Sequence, residues 1–405
     1  MNGLDFLLNI NSAKIKFGLE RTSFLLESCN NPHKKIFSIQ IAGTNGKGST
    51  AAIISNVLIK NGYRVGLFTS PHLVAMNERI QINNQLISNS FINQFINQYH
   101  SDIIKIGASY FEIFSVMAME YFLQNNVDIA ILETGLGGKL DSVSAMENSG
   151  LIFTTISYDH MHILGNTIEK ITLEKAGAIK KSNNFIISTK QELKVVDILN
   201  LEADKKQKNI EYVQQIKDNK LKHLKGAHQN QNATLAKFAL SKISTLFKFK
   251  IDKASLHISN TFWPGRLQTI QTKPFVVFDV GHNAQGIVAI YDYFKCLIQR
   301  YNKKTLIVGF ESTKEIIKEV SRLSALFDEV IFTETGIKNS MSAKQMSQQI
   351  KHPNIFVNLK LNQLLLQVHG QMGKNDMLLI LGSHYFGESI DKLFKNCFDN
   401  HSNMS

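Results

Sequence analysis

The chain has 405 residues, of which 43% are hydrophobic and 19% charged. This length exceeds one ordinary domain, so two domains are expected, and the apolar content excludes a disordered chain. The formal net charge is +12, but the lysines are scattered without a dense basic arm. A polyanionic small molecule is therefore the expected ligand, and a nucleic-acid partner is not expected.

Targeting and redox signals are weak. No run of about 18 apolar residues occurs, so no membrane span or membrane partner is expected. The segment Met1 to Asp5 lacks the basic and apolar blocks of a signal peptide. Three cysteines, Cys29, Cys296 and Cys397, lie far apart and offer no metal-site spacing. These features predict a cytoplasmic protein.

Strand-like and helix-like patterns alternate along the chain, which predicts an α/β fold with mostly parallel sheets. The first series has strands at Ile36–Ile41, Val65–Phe68, Val127–Leu132, Leu151–Ile156 and Phe185–Ile187, with helices at Phe111–Leu123 and Thr167–Ala176. The second series has strands at Phe275–Val280, Thr305–Val308, Glu329–Phe332 and Met377–Leu381. Trp263 to Arg266 interrupts the pattern, so the predicted domains are 1–262, with a P-loop-type sheet, and a smaller Rossmann-like 263–405.

A glycine-rich loop, Gly43-Thr44-Asn45-Gly46-Lys47-Gly48-Ser49, joins the first strand to a helical pattern. Glycines turn backbone N–H groups toward an anion, and the helix N-terminus adds partial positive charge. Lys47 and Ser49 suit the outer phosphates and Mg²⁺, so the loop predicts binding of a nucleotide triphosphate. Because Gly48 separates Lys47 from Ser49 and Ile41 replaces the usual first glycine, an empty turn or a dinucleotide site is the alternative.

Three further motifs follow predicted strands or lie on helices, and ligands of such sheets bind beyond the carboxyl ends of the strands. Glu133 follows the strand Val127–Leu132, and this position predicts that its carboxylate binds Mg²⁺. The alternative is a helix-capping or surface acid. His160, in the pair Asp159-His160, is by itself a structural histidine. Lys175, in Glu174-Lys175-Ala176-Gly177, is by itself a solvent-facing charge on a helix.

Short motifs occur in a fixed order along nearly the whole chain. They are GLER at Gly18–Arg21, AGTNGKGS at Ala42–Ser49, TSPHL at Thr69–Leu73, NERI at Asn77–Ile80, YFE at Tyr110–Glu112, GLGGKLD at Gly135–Asp141, DHMHILGNTI at Asp159–Ile168, EKAG at Glu174–Gly177, Asn232-Ala233, PGRLQ at Pro264–Gln268, FDVGHN at Phe278–Asn283 and GSHYFGES at Gly382–Ser389. In this order and spacing the chain resembles the Mur ligase superfamily, and within it the dihydrofolate synthase/folylpolyglutamate synthases.

The resemblance implies an ATP-dependent ligase that adds L-glutamate to dihydropteroate or to reduced folates through an acyl phosphate. It implies ATP contacts from Asn45, Gly46, Lys47, Gly48, Ser49, Asn232, Arg266 and Asp279. It implies two Mg²⁺ ions held by Ser49, Ser70, Glu133, His160 and a carbamylated Lys175. Catalytic roles fall to Lys47, Lys175, His160, Arg266 and His282, and closure of the two domains of a monomer is expected to exclude water.

The resemblance also implies a folate pocket, and it leaves open which of the two synthase activities is present. The implied pocket residues are Lys14, Ile15, Lys16, Phe17, Arg79, Ser109, Tyr110, Phe111, Glu112, Leu140, Asp141 and Ser142, with Arg79 facing a substrate carboxylate. The stretch Lys14–Phe17 lacks the acidic residue of bifunctional members, whereas YFE resembles the bifunctional type. Ala284 replaces a proline, and residues 310–315 replace a DKD-like motif near the nucleotide. The alternatives are a folylpolyglutamate synthase alone, a non-folate P-loop NTPase, a cell-wall Mur ligase and a degenerate binding module.

Overall fold

A computed structural model describes residues 3–10, 18–214, 219–311 and 315–399. The chain divides into two compact units. Unit 1 comprises Met1–Ser157, Leu164–Lys220 and Asn230–Thr261, and unit 2 comprises Tyr158–Ile163, Leu221–Gln229 and Phe262–Ser405. Two short segments that precede residue 262 therefore pack with the C-terminal unit, which periodicity did not predict. The assignment of functions to domains 1–262 and 263–405 stays a prediction.

Helices and strands alternate as the sequence predicts. The α-helices are α1 Gly3–Asn9, α2 Glu20–Ser28, α3 Lys47–Lys60, α4 Asn89–Ile106, α5 Tyr110–Gln124, α6 Met161–Leu164, α7 Ile168–Ala176, α8 Leu193–Asp204, α9 Ala227–Phe247, α10 Ala254–Ser259, α11 Ala284–Phe294, α12 Ile317–Ser324, α13 Ala343–Gln349, α14 Leu361–Gly370 and α15 Gly387–Leu393. Short 3₁₀ helices lie at Pro32–Lys35, Met76–Arg79, Ser142–Ala145, Ile298–Arg300 and His384–Phe386.

Unit 1 is built on an eight-stranded sheet in the order β4-β3-β2-β5-β1-β6-β7-β8. Its strands are β1 Phe37–Ala42, β2 Val65–Phe68, β3 Ile80–Ile82, β4 Gln85–Leu86, β5 Ile129–Glu133, β6 Gly150–Phe153, β7 Phe185–Thr189 and β8 Glu211–Val213. All pairs are parallel except β2 with β3 and β3 with β4. The predicted parallel sheet is confirmed, with an antiparallel ribbon added at one edge.

The central strands align the carboxyl ends that carry the predicted site. In the parallel register, Ile41 of β1 lies opposite Glu133 of β5, and Leu132 lies opposite Phe68 of β2. Glu133 is thus the last residue of its strand rather than the first residue after it. The loop after β1, Glu133 and the residues after β2 consequently leave the sheet at one edge.

Glycines let the GLGGK segment lie directly on the end of α7. A Cβ at Gly138 would stand 2.5 Å from the carbonyl oxygen of Lys175, and one at Gly177 would stand 2.4 Å from the Cβ of Lys139. The Lys139 N–H donates to the Glu174 carbonyl at 2.7 Å. The motifs GLGGK and EKAG therefore form the two sides of one backbone contact. This contact fixes the position of the backbone at Lys175.

Two other motifs meet through an ion pair. Glu112 closes a capping box at the start of α5, where its carboxylate accepts the Ser109 N–H at 2.7 Å. The Arg21 Nε donates to both oxygens of the same carboxylate, at 3.0 and 3.1 Å. The arginine of GLER and the glutamate of YFE thus join α2 to α5. Removal of the arginine would leave a buried carboxylate unpaired, which is costly.

Unit 2 has a six-stranded sheet in the order β13-β12-β11-β14-β10-β9, in which only the β9–β10 pair is antiparallel. Its strands are β9 Gln268–Thr272, β10 Phe275–Asp279, β11 Lys304–Val308, β12 Glu329–Phe332, β13 Ile355–Val357 and β14 Met377–Leu381. Asn283 caps α11, where its side chain accepts the Gly286 N–H at 2.9 Å. Ala284 is the first residue of that helix, a position that proline favours but does not require.

Some sequence predictions lie outside the described residues. These are the proposed pocket residues Lys14, Ile15, Lys16 and Phe17, and residues 312–314 of the stretch that replaces the DKD-like motif. Across the described ranges, no helix is both long and apolar enough to span a bilayer.

We predict that Gly138→Ala destabilises the fold by about 1 to 3 kcal/mol, because the new methyl group meets backbone atoms that cannot rotate away. Gly370→Ala is the matched control, since no atom lies within 4 Å of its added Cβ. The measurement is the free energy of unfolding in denaturant. A Gly138→Ala protein as stable as Gly370→Ala would contradict the proposed contact.

Candidate active site

The loop Gly43–Gly46 connects β1 to the N-terminus of α3 and contacts the segment that follows β6 and the helix α9. Gly46 has φ +94°, and a Cβ there would stand 2.3 Å from the Asn232 Oδ1. The Thr44 N–H donates to the Thr155 carbonyl at 2.8 Å. Only glycine fits position 46, because the backbone is left-handed there and the Asn232 side chain lies against it. Asn232 therefore lies where sequence analysis predicts, beside the loop.

Lys47 is the first residue of α3 and is half-buried. Its Nζ donates to the Thr44 carbonyl at 3.2 Å, so the side chain folds back along the loop. An ammonium at this position, together with the first N–H groups of a 14-residue helix, gives a locally positive site for phosphate oxygens.

Glu133, Ser70 and Lys175 surround the same loop. The Glu133 carboxylate accepts the Ser70 N–H at 3.1 Å, and the Lys175 Nζ donates to the Gly43 carbonyl at 2.8 Å. Glu133 is 6% exposed and Lys175 is 5% exposed. Both alternatives from the isolated motifs, a surface acid and a solvated helix lysine, are therefore wrong.

Ser49 supplies an oxygen that the protein leaves unused. Its Oγ is buried and has no hydrogen-bond partner, and the same holds for the Oγ1 of the adjacent Thr50. A buried hydroxyl without a partner is costly. A hard cation or a phosphate oxygen would satisfy the Ser49 hydroxyl, so the residues present fit the implied Mg²⁺.

Asp141 organises the loop that follows Glu133. Its carboxylate accepts the N–H groups of Gly135, Leu136 and Val143, each at 2.9 Å. Burial raises the pKa of Asp141 to about 6, although these three donors and the Lys47 charge act in the opposite direction. Asp141 is thus a loop-positioning residue in this structure, and its predicted contact with substrate stays a prediction.

Arg79 lies in a small aromatic and histidine cluster. Its Nε donates to the Nδ1 of His72 at 2.9 Å, and its guanidinium lies 5.2 Å from the centre of the Tyr110 ring and 5.9 Å from that of Phe114. Burial, aided by the Arg79 charge, lowers the pKa of His72 to about 4. The histidine is therefore neutral and can accept this hydrogen bond, which orients the guanidinium.

The other proposed pocket residues have mainly structural contacts. The Ser142 hydroxyl accepts from Thr22 Oγ1 at 3.2 Å, Leu140 is 37% exposed, and the Phe111 ring lies against Gly135, where a Cβ would approach it to 2.5 Å. Ser109 and Glu112 form the capping box already described. Their predicted role in binding folate stays a prediction.

In unit 2, Asp279 ends β10 and fixes the turn that follows. Its carboxylate accepts the N–H groups of Leu267 and Gly281, each at 2.6 Å, and burial raises its pKa. The Arg266 charge opposes that rise, and the Arg266 Nη1 donates to the Gly265 carbonyl at 3.1 Å. Contacts of Asp279 and Arg266 with ATP stay predictions.

His160 and His282 meet at Asp159, also within unit 2. The Asp159 Oδ2 lies 3.4 Å from the His282 Nε2 and 4.0 Å from the His160 Nε2, and it accepts from the Asn283 Nδ2 at 3.0 Å. His160 has φ +48°, and its N–H donates to the Asp159 Oδ1 at 2.8 Å. Sequence analysis assigned roles to both histidines but not to Asp159, although the adjacent pair Asp159-His160 was the signal.

Comparisons with known proteins agree with this geometry. Residues 265–384 match the family model for the Mur ligase glutamate ligase domain. The chain is 30% identical to the dihydrofolate synthase/folylpolyglutamate synthase of Bacillus subtilis, over 94% of this chain and 96% of that protein. The structure of E. coli FolC in complex with DHPP and ADP is similar with a TM-score of 0.85 and 25% identity, covering 96% of each chain.

A further structural relative contains a metal ion. It is the bifunctional folylpolyglutamate synthase/dihydrofolate synthase of Yersinia pestis complexed with AMPPNP and Mn, with a TM-score of 0.82, 24% identity and 96% coverage of each chain. At this identity the likeness supports the fold alone.

The fold and the loop site define a ligase of the Mur type. The chain belongs to the dihydrofolate synthase/folylpolyglutamate synthase family, as its identity to the Bacillus subtilis protein over nearly the whole length shows. The predicted family and the predicted α/β fold class are confirmed.

We predict that Asp141 makes the stability of the protein depend on pH. Its pKa in the folded protein is about 6, whereas an unfolded aspartate titrates near about 3.9. The folded state therefore holds the extra proton between these values, and stability falls as pH rises through them. Relative to Asp141→Asn, the free energy of unfolding should fall by about 2 kcal/mol between pH 4 and pH 7.

The measurement is denaturant unfolding of both proteins at a series of pH values. Asp128→Asn is the control, because its exposed carboxylate also accepts a backbone N–H, that of Arg64, at 2.7 Å. A difference between the native chain and Asp141→Asn that is constant with pH would contradict the role of burial.

Proposed function

We propose that this chain joins L-glutamate in amide linkage to dihydropteroate and to the glutamyl tail of reduced folates, and that ATP is cleaved to ADP and phosphate. The observation that carries the proposal is the phosphate-type loop Gly43–Ser49 beside the buried Glu133, in a chain that belongs to this ligase family. The second candidate is folylpolyglutamate synthase activity alone, which the change at Lys14–Phe17 favours.

The chemistry follows from the poor reactivity of a carboxylate. Transfer of the γ-phosphoryl group of ATP to the substrate carboxylate forms an acyl phosphate, whose phosphate is a good leaving group. The amino group of glutamate then attacks the acyl carbon, loses a proton and displaces phosphate. Negative charge gathers at the phosphoryl group during transfer, so fixed positive groups at that point accelerate the step.

Lys47 and the N-terminus of α3 are the fixed positive groups that we assign to the transferred phosphoryl. The Lys47 ammonium lies on the loop, and the glycine at position 46 lets backbone N–H groups approach an anion closely. Asn45, Gly46 and Gly48 would provide these N–H groups, and Asn232 would fix the loop against α9.

We propose that two Mg²⁺ ions bind here. Their ligands are Ser49, Ser70, Glu133, a carbamylated Lys175 and His160. When bound, the metal supplies charge neutralisation at the phosphate oxygens. Oxygen ligands suit a hard cation. The buried and unpartnered Ser49 hydroxyl and the buried Glu133 carboxylate support the proposal.

Arg79 is the residue that we assign to the substrate carboxylate. His72 holds its Nε, and the Tyr110 and Phe114 rings lie near its guanidinium, so the remaining N–H groups have a restricted orientation. Arg266, Asp279 and His282 are proposed to serve the nucleotide and the incoming glutamate. We further propose that the enzyme acts as a monomer in the cytoplasm, where its three free thiols remain reduced.

The test of the proposed function is amide formation by the purified chain with Mg²⁺, ATP and glutamate. Both dihydropteroate and tetrahydrofolate should yield glutamylated product with equimolar ADP and phosphate. Lys47→Ala should lower kcat by at least about 100-fold with an unchanged melting temperature, because it removes a charge and no core packing. Absence of product from both substrates would overturn the proposal, and product from tetrahydrofolate alone would select the second candidate.

We predict that Lys175 is carbamylated in the active enzyme. Lys175 is 5% exposed, and burial in general disfavours a charged amine. A neutral amine adds to CO₂ and loses a proton to give an anionic carbamate suited to a metal. With ¹³CO₂, a carbamate carbon signal should appear in the NMR spectrum of the native chain and be absent from Lys175→Ala. That variant should lose at least about 100-fold in kcat and be partly rescued by acetate.

Lys170→Ala is the matched control, since Lys170 lies on the same helix but is exposed. It should retain both the carbamate signal and the activity. An active enzyme that shows no carbamate signal at saturating ¹³CO₂ would refute the modification.

A further inference from the structure

Asp159, His160 and His282 form a compact donor cluster within unit 2. One ligand atom from each residue lies within 4.8 Å of the other two. Among the described residues, no other three His, Cys, Asp or Glu side chains lie this close together. The Asp159 side chain is 8% exposed, whereas those of His160 and His282 are 37% and 31% exposed. A buried anion thus lies beneath two imidazoles that solvent can reach.

The hydrogen bonds around the cluster leave the ligand atoms correctly oriented. The His282 Nδ1 lies 2.9 Å from the Val280 carbonyl, which only accepts, so Nδ1 carries a hydrogen. In the neutral imidazole, Nε2 is then the nitrogen with the lone pair, and it lies 3.4 Å from the Asp159 Oδ2. Asn283 and the His160 N–H each hold one oxygen of the Asp159 carboxylate. Such outer partners fix the tautomer and orientation of metal ligands in proteins.

The spacing is close to that of a tetrahedral metal site. Metal–ligand bonds of about 2.0 to 2.2 Å place neighbouring ligand atoms about 3.3 Å apart. The His282 Nε2 to Asp159 Oδ2 distance of 3.4 Å already matches, and the His160 Nε2 lies 4.0 Å from the same oxygen. No pair of the three ligand atoms is more than 4.8 Å apart, so the proposal requires the two imidazoles to move closer when an ion binds.

We propose that Asp159, His160 and His282 bind a borderline transition-metal ion such as Zn²⁺ or Co²⁺. Two imidazoles and one carboxylate favour such ions, whereas Mg²⁺ prefers six oxygen ligands. Three protein ligands leave one tetrahedral position for water or for an anionic oxygen. The site is made entirely by unit 2 and does not depend on the proposed ligase activity.

One consequence does rest on the proposed function. His160 is also a proposed ligand of the Mg²⁺ site, and an ion held with Asp159 and His282 would withdraw its Nε2 from that role. Zn²⁺ bound to this cluster then inhibits the ligase, because it holds His160 away from the Mg²⁺ site. Added Mg²⁺ does not relieve the inhibition, because it does not displace Zn²⁺ from the cluster.

The test is a Co²⁺ titration of the full-length chain without nucleotide, followed by visible absorption. We expect one Co²⁺ per chain with the intense bands of tetrahedral coordination, unchanged by millimolar Mg²⁺ and removed by stoichiometric Zn²⁺. His282→Gln and Asp159→Asn should each weaken Co²⁺ binding by at least about tenfold. His160→Ala should do the same, and circular dichroism checks that all three variants are folded.

Two control variants separate this site from other metal-binding groups. Glu133→Gln removes the proposed Mg²⁺ ligand of unit 1, and His162→Gln removes an exposed imidazole whose ring centre lies 6.3 Å from that of His160. Both should bind Co²⁺ as the native chain does. Absence of tetrahedral bands, or bands that Glu133→Gln abolishes and His282→Gln retains, would overturn the proposal, whatever the outcome of the ligase assay.

Discussion

The register between β1 and β5 is the constraint on which the site in unit 1 depends. It places Ile41 opposite Glu133, so the phosphate-type loop and the carboxylate leave the sheet side by side. Because side chains alternate between the faces of a strand, a shift of one residue would turn Glu133 to the other face. The Ser70 N–H, which follows β2 on the other side of β5, would then lose its acceptor.

A buried polar network specifies this register more sharply than apolar packing could. Gln40, in the middle of β1 and fully buried, donates to Thr134 at 3.1 Å and to Ser144 at 2.7 Å. The Asn148 Nδ2 donates back to the Gln40 Oε1 at 3.2 Å, and the Asn148 Oδ1 accepts from Ser38 at 2.9 Å. In a low-dielectric interior each unmade bond is costly, so the strand and the loop after Glu133 fit together in one alignment.

Periodicity predicted the elements that carry this arrangement but not its polar contacts. Strands such as Val65–Phe68 and Met377–Leu381 have the predicted bounds because they are fully apolar. Sequence analysis did not predict β3, β4, β8, β9 and β13. Four of them have only two or three residues, too few to show a period, and β9 is mostly polar. A polar Gln40 within an apolar strand was a visible signal of the network, and its partners more than 90 residues away were not.

The candidate site shows the same division. The local sequence was enough to predict the phosphate loop at Gly43, Gly46 and Lys47, because such a loop needs glycine conformations and one cation within a few residues. The segment Tyr158–Ile163 packs with unit 2 through tertiary contacts, so no local pattern could bring Asp159 to His282. Lys175 was predicted through family resemblance, since its helical position alone indicates a surface lysine.

Burial of charged groups gives this site its chemical character as well as a cost in stability. Glu133, Asp141 and Lys175 are each at most 6% exposed, and each would cost several kcal/mol without partners. Asp141 is compensated by three N–H donors, and Lys175 by the Gly43 carbonyl. A carbonyl accepts a hydrogen bond from either the ammonium or the neutral amine, so the contact with Gly43 is compatible with both forms of Lys175. The neutral amine is the form that reacts with CO₂, so the same burial that excludes a solvated role supports the carbamylation that we propose for Lys175.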